Sequence, residues 1–204
     1  MFPRNPRALL LALASSLALA ASAAGAEAQE PTETEPALPA ETETEAAQDA
    51  AAASQARIRT LRRQIRTYRA RTWHWQRVMG RSRTPTGYAE RRTTSVTRLV
   101  RMRNDWRRRT RLVVQRRARN VPHEAAWRCI HRHEGAWDDP NALYYGGLQM
   151  DISFQRTYGR YLLRRKGTAD RWRPLEQMWT AEKARRSGRG FYPWPNTARR
   201  CGLI

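Results

Sequence analysis

Apolar residues recur every seven positions between Ala56 and Met79, which is the period of a packed amphipathic helix. The repeat has two rows, Ile58, Ile65, Thr72 and Met79, and Leu61, Tyr68 and Trp75. Gly80 follows, and the next residues, 81–87, are rich in turn formers. The pattern therefore predicts one helix over 56–79 with a single buried face.

A second apolar stripe lies further along the chain and ends near Asn120 and Pro122. It contains Val96, Leu99, Met102, Trp106 and Val113. Two helices of similar length joined by a short turn are typical of an antiparallel pair. We therefore predict an antiparallel helical hairpin over residues 56–120, which we call the Arg-rich segment.

The heptad stops at His123, where Trp, Tyr, Gly and Pro become more frequent, so we place a domain boundary at residue 121. Read as a helix, this stretch puts Trp127, Ile130 and Glu134 on one face, and Gly135 ends it. Burial and the helix dipole both disfavour a carboxylate there, so we expect Glu134 to keep its proton and act as a general acid. The alternative is a Glu that extends into water or pairs with an Arg.

The start of the chain has the pattern of a secretory signal peptide over 1–26, with Arg4 and Arg7 before an apolar run. That run is short for a membrane span, which needs about 20 residues, so we favour cleavage over a retained anchor. Residues 27–55 follow as an acidic linker. Their low content of bulky apolar residues predicts disorder.

Positive charge is concentrated in residues 57–120, which hold 22 Arg against Glu90 and Asp105. The whole chain carries a net charge of +21. This charge fits a polyanionic partner: a wall polymer, a membrane surface or the acidic linker of the same chain. A solvated surface is the alternative. Because export is predicted, no nucleic-acid partner is expected, and the heptads leave the oligomeric state open.

Cys129 and Cys201 are the only cysteines. In an exported chain an even count suggests a disulfide, here worth roughly 4 kcal/mol, with two buried thiols as the alternative. His131 and His133 point to nearly opposite sides of a helix and cannot chelate together, so no metal site is predicted. No cofactor-binding motif is found, and none is expected.

Three motifs together resemble a known family: WRCIHRHE (127–134), YYGGLQM (144–150) and FYPWPNTARRC (191–201). They are similar to the resuscitation-promoting-factor and lytic-transglycosylase-like domains of the lysozyme-like superfamily. The likeness covers about residues 121–204. It implies a mainly α fold: the helical hairpin plus a small lysozyme-like, α-rich C-terminal domain with little β structure. It also implies that Cys129 pairs with Cys201.

The resemblance implies cleavage of the β-1,4 bond between N-acetylmuramic acid and N-acetylglucosamine in peptidoglycan, with Glu134 as the acid. It gives Tyr144, Tyr145 and Gln149 a place beside the glycan, and we add Trp137. The tyrosines could instead be core residues. The family usually follows its Glu with Ser-Gly-Gly-Asn or Ala-Gly-Gly-Asn, whereas here the sequence is GAW (135–137).

Three hypotheses follow: a secreted enzyme that cleaves peptidoglycan, a non-catalytic glycan-binding module on the same fold, or a polyanion-binding structural protein. Transglycosylation would use the sugar's own 6-hydroxyl and needs no second carboxylate. Hydrolysis would need one, and Asp138 or Asp151 is nearest in sequence. For Asp151 we favour a role as the N-cap of the next helix.

Overall fold

A computed structural model describes residues 40–204, without the side chains of 40–43 and of Ala89. The predicted signal peptide (1–26) and the first part of the predicted linker (27–39) lie outside the described residues. Among the described helices, none has the length and apolarity that a membrane span requires. Residues 41–204 form one compact unit.

The mainly α class is confirmed. The α-helices, in chain order, are α1 Ala40–Val78, α2 Tyr88–Arg92, α3 Val96–Thr110, α4 Glu124–Glu134, α5 Ile152–Tyr158, α6 Arg160–Lys166, α7 Pro174–Ala184 and α8 Pro195–Arg200. Arg111–Ala118 and Arg185–Arg189 extend α3 and α7 as π-helical segments, and Ala169–Arg171 is a 3-10 turn. Within residues 40–204, β structure is limited to an isolated bridge between Tyr145 and Met150.

Helix α1 begins at Ala40, earlier than the predicted start at Ala56. It therefore includes residues 40–55 of the linker 27–55, which we predicted to be disordered along its whole length. Residues 44–57 are exposed along their whole length, so packing does not hold this stretch. Its many alanines favour helix through their backbone propensity alone. From Ile58 onward both rows of the heptad are buried or half-buried, as the pattern predicted.

The segment between α1 and α3 is longer than a turn, and it runs back along α1. Contacts with α1 move toward its start as the connection proceeds: the Trp73 Nε1–H donates to the Thr84 carbonyl at 2.9 Å, and Arg69 then pairs with Glu90 at 3.0 Å. Helix α3 therefore begins beside the middle of α1 rather than beside its end.

The two long helices consequently run in the same direction, which corrects the antiparallel course that we predicted. Just before α3 the Arg62 side chain donates to the Thr93 carbonyl at 3.1 Å, and further along both helices the hydroxyls of Thr72 and Thr110 are 2.9 Å apart. The heptad identified which faces are buried. It could not give the direction of α3, because Tyr88–Arg92 was not recognised as a separate helix inside the connection.

The main hydrophobic core crosses the boundary that we predicted at residue 121. Val78, Met79 and Val113 of the Arg-rich segment are buried in the same cluster as Trp127 and Met178. A second, smaller cluster is formed by buried residues of α1 and α3 alone. It consists of Ile58, Leu61, Ile65, Leu99 and Trp106. The ends of the two long helices are thus part of the core on which the C-terminal helices are built.

A buried carboxylate joins α1 to α6 and α7. Glu176 is 1% exposed and accepts hydrogen bonds from His74 Nε2 at 2.8 Å and from Lys166 Nζ at 2.6 Å. Burial alone raises the pKa of this carboxyl. The hydrogen bonds from His74, Lys166 and the backbone N–H of Arg173 outweigh burial and lower the pKa from 4.5 to about 2. The carboxylate is therefore stably charged inside the protein.

Candidate functional site

Helix α4 places Glu134 where its sequence pattern predicted. Trp127 and Ile130 are fully buried on the face that Glu134 shares, and Glu134 itself is half-buried at the last helical position. Gly135 ends the helix with φ +156°, and its N–H donates to the His131 carbonyl at 3.2 Å. The carboxyl group therefore stands at the junction between a buried helical face and the following loop.

Gly135 also allows a close approach of that loop. A Cβ at this position would lie 3.1 Å from Asp139 Oδ2 and 3.1 Å from Gln149 Nε2. Gln149 Nε2 in turn donates to Asp139 Oδ2 at 2.9 Å and to the Gly146 carbonyl at 3.0 Å. Gly135, the residue after the candidate acid, is thus packed against a fixed pair of an amide and a carboxylate, to which Gln149 contributes the amide.

The hydroxyl of Thr197 donates a hydrogen bond of 2.7 Å to Oε1 of Glu134. Thr197 lies on α8 and is 8% exposed. Helix α8 is attached to α4 through the Cys129–Cys201 disulfide, which forms as predicted. The bridge holds the two helices side by side, so the residue one turn before Cys201 meets the end of α4.

Our sequence analysis did not identify Thr197, although a signal for it exists. Once Cys129 is paired with Cys201, the helical period places position 197 on the same side of α8 as Cys201. The sequence analysis also did not anticipate the hydrogen bond between Asp139 and Gln149. The position of Thr197 and this hydrogen bond both depend on which elements meet in space, and the local pattern does not contain that information.

The turn between Tyr145 and Met150 is built on a pair of backbone hydrogen bonds of 3.1 and 3.0 Å. Gly147 at its centre is buried, and a Cβ there would come within 2.6 Å of His131 Nδ1 and 2.8 Å of the Trp137 ring. The glycine is therefore required by close packing. The turn holds the segment that carries Gln149 against α4.

The aromatic residues that we predicted to touch substrate have different environments. Tyr144 is 52% exposed and available to a ligand, whereas Tyr145 is half-buried and packs against the main core. Trp137 stacks on His131 with ring centroids 3.9 Å apart, and its carbonyl accepts from Gln177 Nε2 at 2.7 Å. Tyr145 and Trp137 thus contribute to the framework of the site, and Tyr144 is the aromatic group with a free face.

Among the other acidic and metal-ligating candidates, Asp151 and the two cysteines have structural partners. Asp151 caps α5 by accepting from the Phe154 N–H at 2.7 Å, as we favoured. Asp138 is exposed. The side chains of Cys129, His133 and Cys201 have their donor atoms within 4.8 Å of one another. Both sulfurs are joined in the disulfide, so these three residues do not make a thiolate metal site.

Comparisons with family models, with curated proteins and with solved structures find no match to this chain.

Proposed function

We propose that this protein is an exported enzyme that cleaves the MurNAc–GlcNAc β-1,4 bond of peptidoglycan, with Glu134 as the general acid. The observation that carries the proposal is the position of Glu134. It is half-buried at the end of α4 and receives a hydrogen bond from Thr197 at 2.7 Å. The resemblance of 127–134, 144–150 and 191–201 to lytic-transglycosylase-like domains supports the same assignment.

The hydrogen bond from Thr197 gives the two carboxyl oxygens different roles. Oε1 is occupied by the hydroxyl, and within residues 40–204 no protein group bonds to Oε2. A proton on Oε2 could pass to the glycosidic oxygen as the bond to the anomeric carbon breaks. The ionised Glu134 would then take a proton from the 6-hydroxyl of the muramic acid residue, which attacks the same carbon and closes an anhydro ring. These reaction steps require no second carboxylate.

Substrate contact would come from the loop that follows α4. Gln149 uses its amide N–H groups on Asp139 and Gly146, which leaves its carbonyl oxygen available to an N-acetyl N–H. Tyr144 offers an exposed ring against which a sugar face could pack. In this proposal the two residues fix the glycan and Glu134 performs the chemistry.

The test is the Glu134→Gln variant assayed on purified peptidoglycan, with muropeptides analysed by mass spectrometry. The wild type should release products with anhydro ends, and the variant should release none while still binding the polymer. Glu124→Gln is the matched control. It changes a carboxylate on the same helix that pairs with Arg128 at the opposite end, and it should leave cleavage intact. A wild type that releases no muropeptide excludes the enzymatic assignment.

A non-catalytic glycan-binding protein is the second candidate. The sequence GAW (135–137) after Glu134 favours it, because the Ser-Gly-Gly-Asn usual in the family is missing. Equal binding of wild type and Glu134→Gln to peptidoglycan, without products from either, is the outcome this candidate predicts. In both cases we propose that the Arg-rich segment attaches the protein to an anionic wall polymer or membrane surface.

A further inference from the structure

A cleft of about 750 Å³ lies between α1 and α6, and the residues that line it are almost all cationic. They are Arg77, Arg160, Tyr161, Arg164 and Arg165. Three of the four arginines belong to α6 and therefore lie outside the Arg-rich segment. No acidic residue contributes to the lining, so the cleft is a concentrated positive site.

The four guanidinium groups of the cleft are exposed and unpaired. Among the described residues none of them makes an ion pair, in contrast to Arg69 with Glu90 or Arg185 with Glu182. Glu176 is linked to Tyr161 of the cleft through His74, but its carboxylate is buried and already bonded to His74 and Lys166. Like charges that face one cleft repel one another, and an anion bound between them would remove that cost.

A series of partly buried contacts joins the two sides of the cleft. The guanidinium of Arg77 lies 5.0 Å above the ring of Tyr161, and the Tyr161 hydroxyl is 3.1 Å from His74 Nδ1. The opposite nitrogen of His74 bonds to Glu176, and Glu176 also holds Lys166 of α6. Helices α1 and α6 are thus joined beneath the cleft, and a ligand would not have to bring the arginines together.

We propose that this cleft binds the phosphate groups of a soluble anionic polymer strand. Arginine presents a planar fork of donors that matches two oxygens of a phosphate, and it cannot lose its charge at physiological pH. Four such groups over about 750 Å³ can serve several successive phosphates of one strand. The depression is open to solvent and its arginines come from two helices, so a flexible strand can lie along it and meet several of them at once.

The experiment measures binding of the full chain to short-chain inorganic polyphosphate by fluorescence anisotropy over a range of salt concentrations. The double variant Arg160→Gln/Arg164→Gln should weaken binding about tenfold and lower the salt dependence. Arg77→Gln should also weaken it, because this residue reaches the same cleft from another helix. Arg164→Lys keeps the charge but loses the fork, and it should fall between wild type and Arg164→Gln.

Arg116→Gln/Arg117→Gln is the matched control, since it removes two exposed charges from the Arg-rich segment without touching the cleft. It should reduce binding by much less than the cleft variant. Equal losses in the two double variants would overturn the proposal in favour of diffuse attraction. Binding to phosphatidylglycerol vesicles but not to soluble polyphosphate would overturn it in favour of a membrane.

Phosphate binding at the cleft does not require glycan cleavage, so an experiment can exclude either proposal without excluding the other. The Glu134→Gln variant should bind polyphosphate as tightly as the wild type. Loss of polyphosphate binding in that variant contradicts a site formed by α1 and α6. Circular dichroism of each variant shows whether the helices are intact before its affinity is compared.

Discussion

The indole Nε1–H of Trp179 donates a hydrogen bond of 2.8 Å to the carbonyl of Ala118. Ala118 ends the helical part of the Arg-rich segment, and Trp179 lies on α7, so the bond joins two parts of the chain that the sequence separated at residue 121. Both residues are buried: Ala118 is 0% exposed and Trp179 is 4% exposed. The arginine-bearing helices are therefore built into the core of the C-terminal part.

Trp179→Phe should destabilise the protein by about 1–3 kcal/mol, because the buried Ala118 carbonyl is left without its donor. Trp73→Phe is the matched control: it also removes an indole bond, to the Thr84 carbonyl, but at a half-buried position. Its loss should be smaller. Urea unfolding followed by circular dichroism gives the free energy of unfolding of both variants. Equal losses would contradict a larger contribution from the buried Trp179 hydrogen bond.

A chain of residues 121–204 alone should not fold as a stable domain. Removing the segment before it exposes the core faces that contact Trp75, Val78, Met79, Val113 and Ala118. Such a fragment should show weak near-ultraviolet circular dichroism and a broad thermal transition, whereas residues 40–204 should unfold cooperatively. A fragment with a sharp transition close to that of the longer chain would mean that the shared core contributes little to stability.

Stability should fall in acid because of Glu176. Its pKa is lowered to about 2 in the folded protein, so the carboxylate contributes stability above its unfolded value of 4.5. That contribution is lost as the pH falls from 4.5 toward about 2, and it amounts to about 3 kcal/mol. The free energy of unfolding, measured between pH 7 and pH 2, should decline in this window.

The Glu176→Gln variant should lack that part of the decline and should be less stable at neutral pH, since Lys166 and His74 lose a buried charged partner. The difference between the two curves isolates this one carboxyl from the other acids of the protein. Curves that stay parallel from pH 7 to pH 2 would contradict the role of Glu176.

The sequence predicted those features that depend on local periodicity. It identified the buried positions of α1 and α3, the inward face of α4 with Glu134, and the N-cap role of Asp151. It failed where distant elements meet. The direction of α3, the bond between Thr197 and Glu134, and the core shared across residue 121 all depend on tertiary packing. A hydrophobic stripe predicts that one face of a helix is buried, but it does not identify the element that packs against that face.

Removing the disulfide should affect both stability and the candidate site. Cys129 and Cys201 are 72 positions apart, and the loss of a bridge over such a loop costs roughly 4 kcal/mol in the chain-entropy model. Cys129→Ser/Cys201→Ser should lower the melting temperature and, by loosening α8, lower cleavage of peptidoglycan. The wild type treated with a reductant should match the variant in both measurements. An unchanged melting temperature would contradict a structural role for the bridge.

Thr197 should act as a positioning residue for Glu134. Thr197→Val keeps the volume of the side chain but removes the donor to Oε1, so the carboxyl can rotate and no longer presents Oε2 reliably. Cleavage of peptidoglycan should fall by up to about tenfold in kcat with KM nearly unchanged, because a hydrogen bond to a neutral carboxyl group is worth roughly 0.5–1.5 kcal/mol. Thr197→Ser restores the hydroxyl and should restore most of the rate. A purely structural role predicts instead that both variants lose activity only in proportion to their loss of stability, and comparing kcat with the free energy of unfolding separates the two cases.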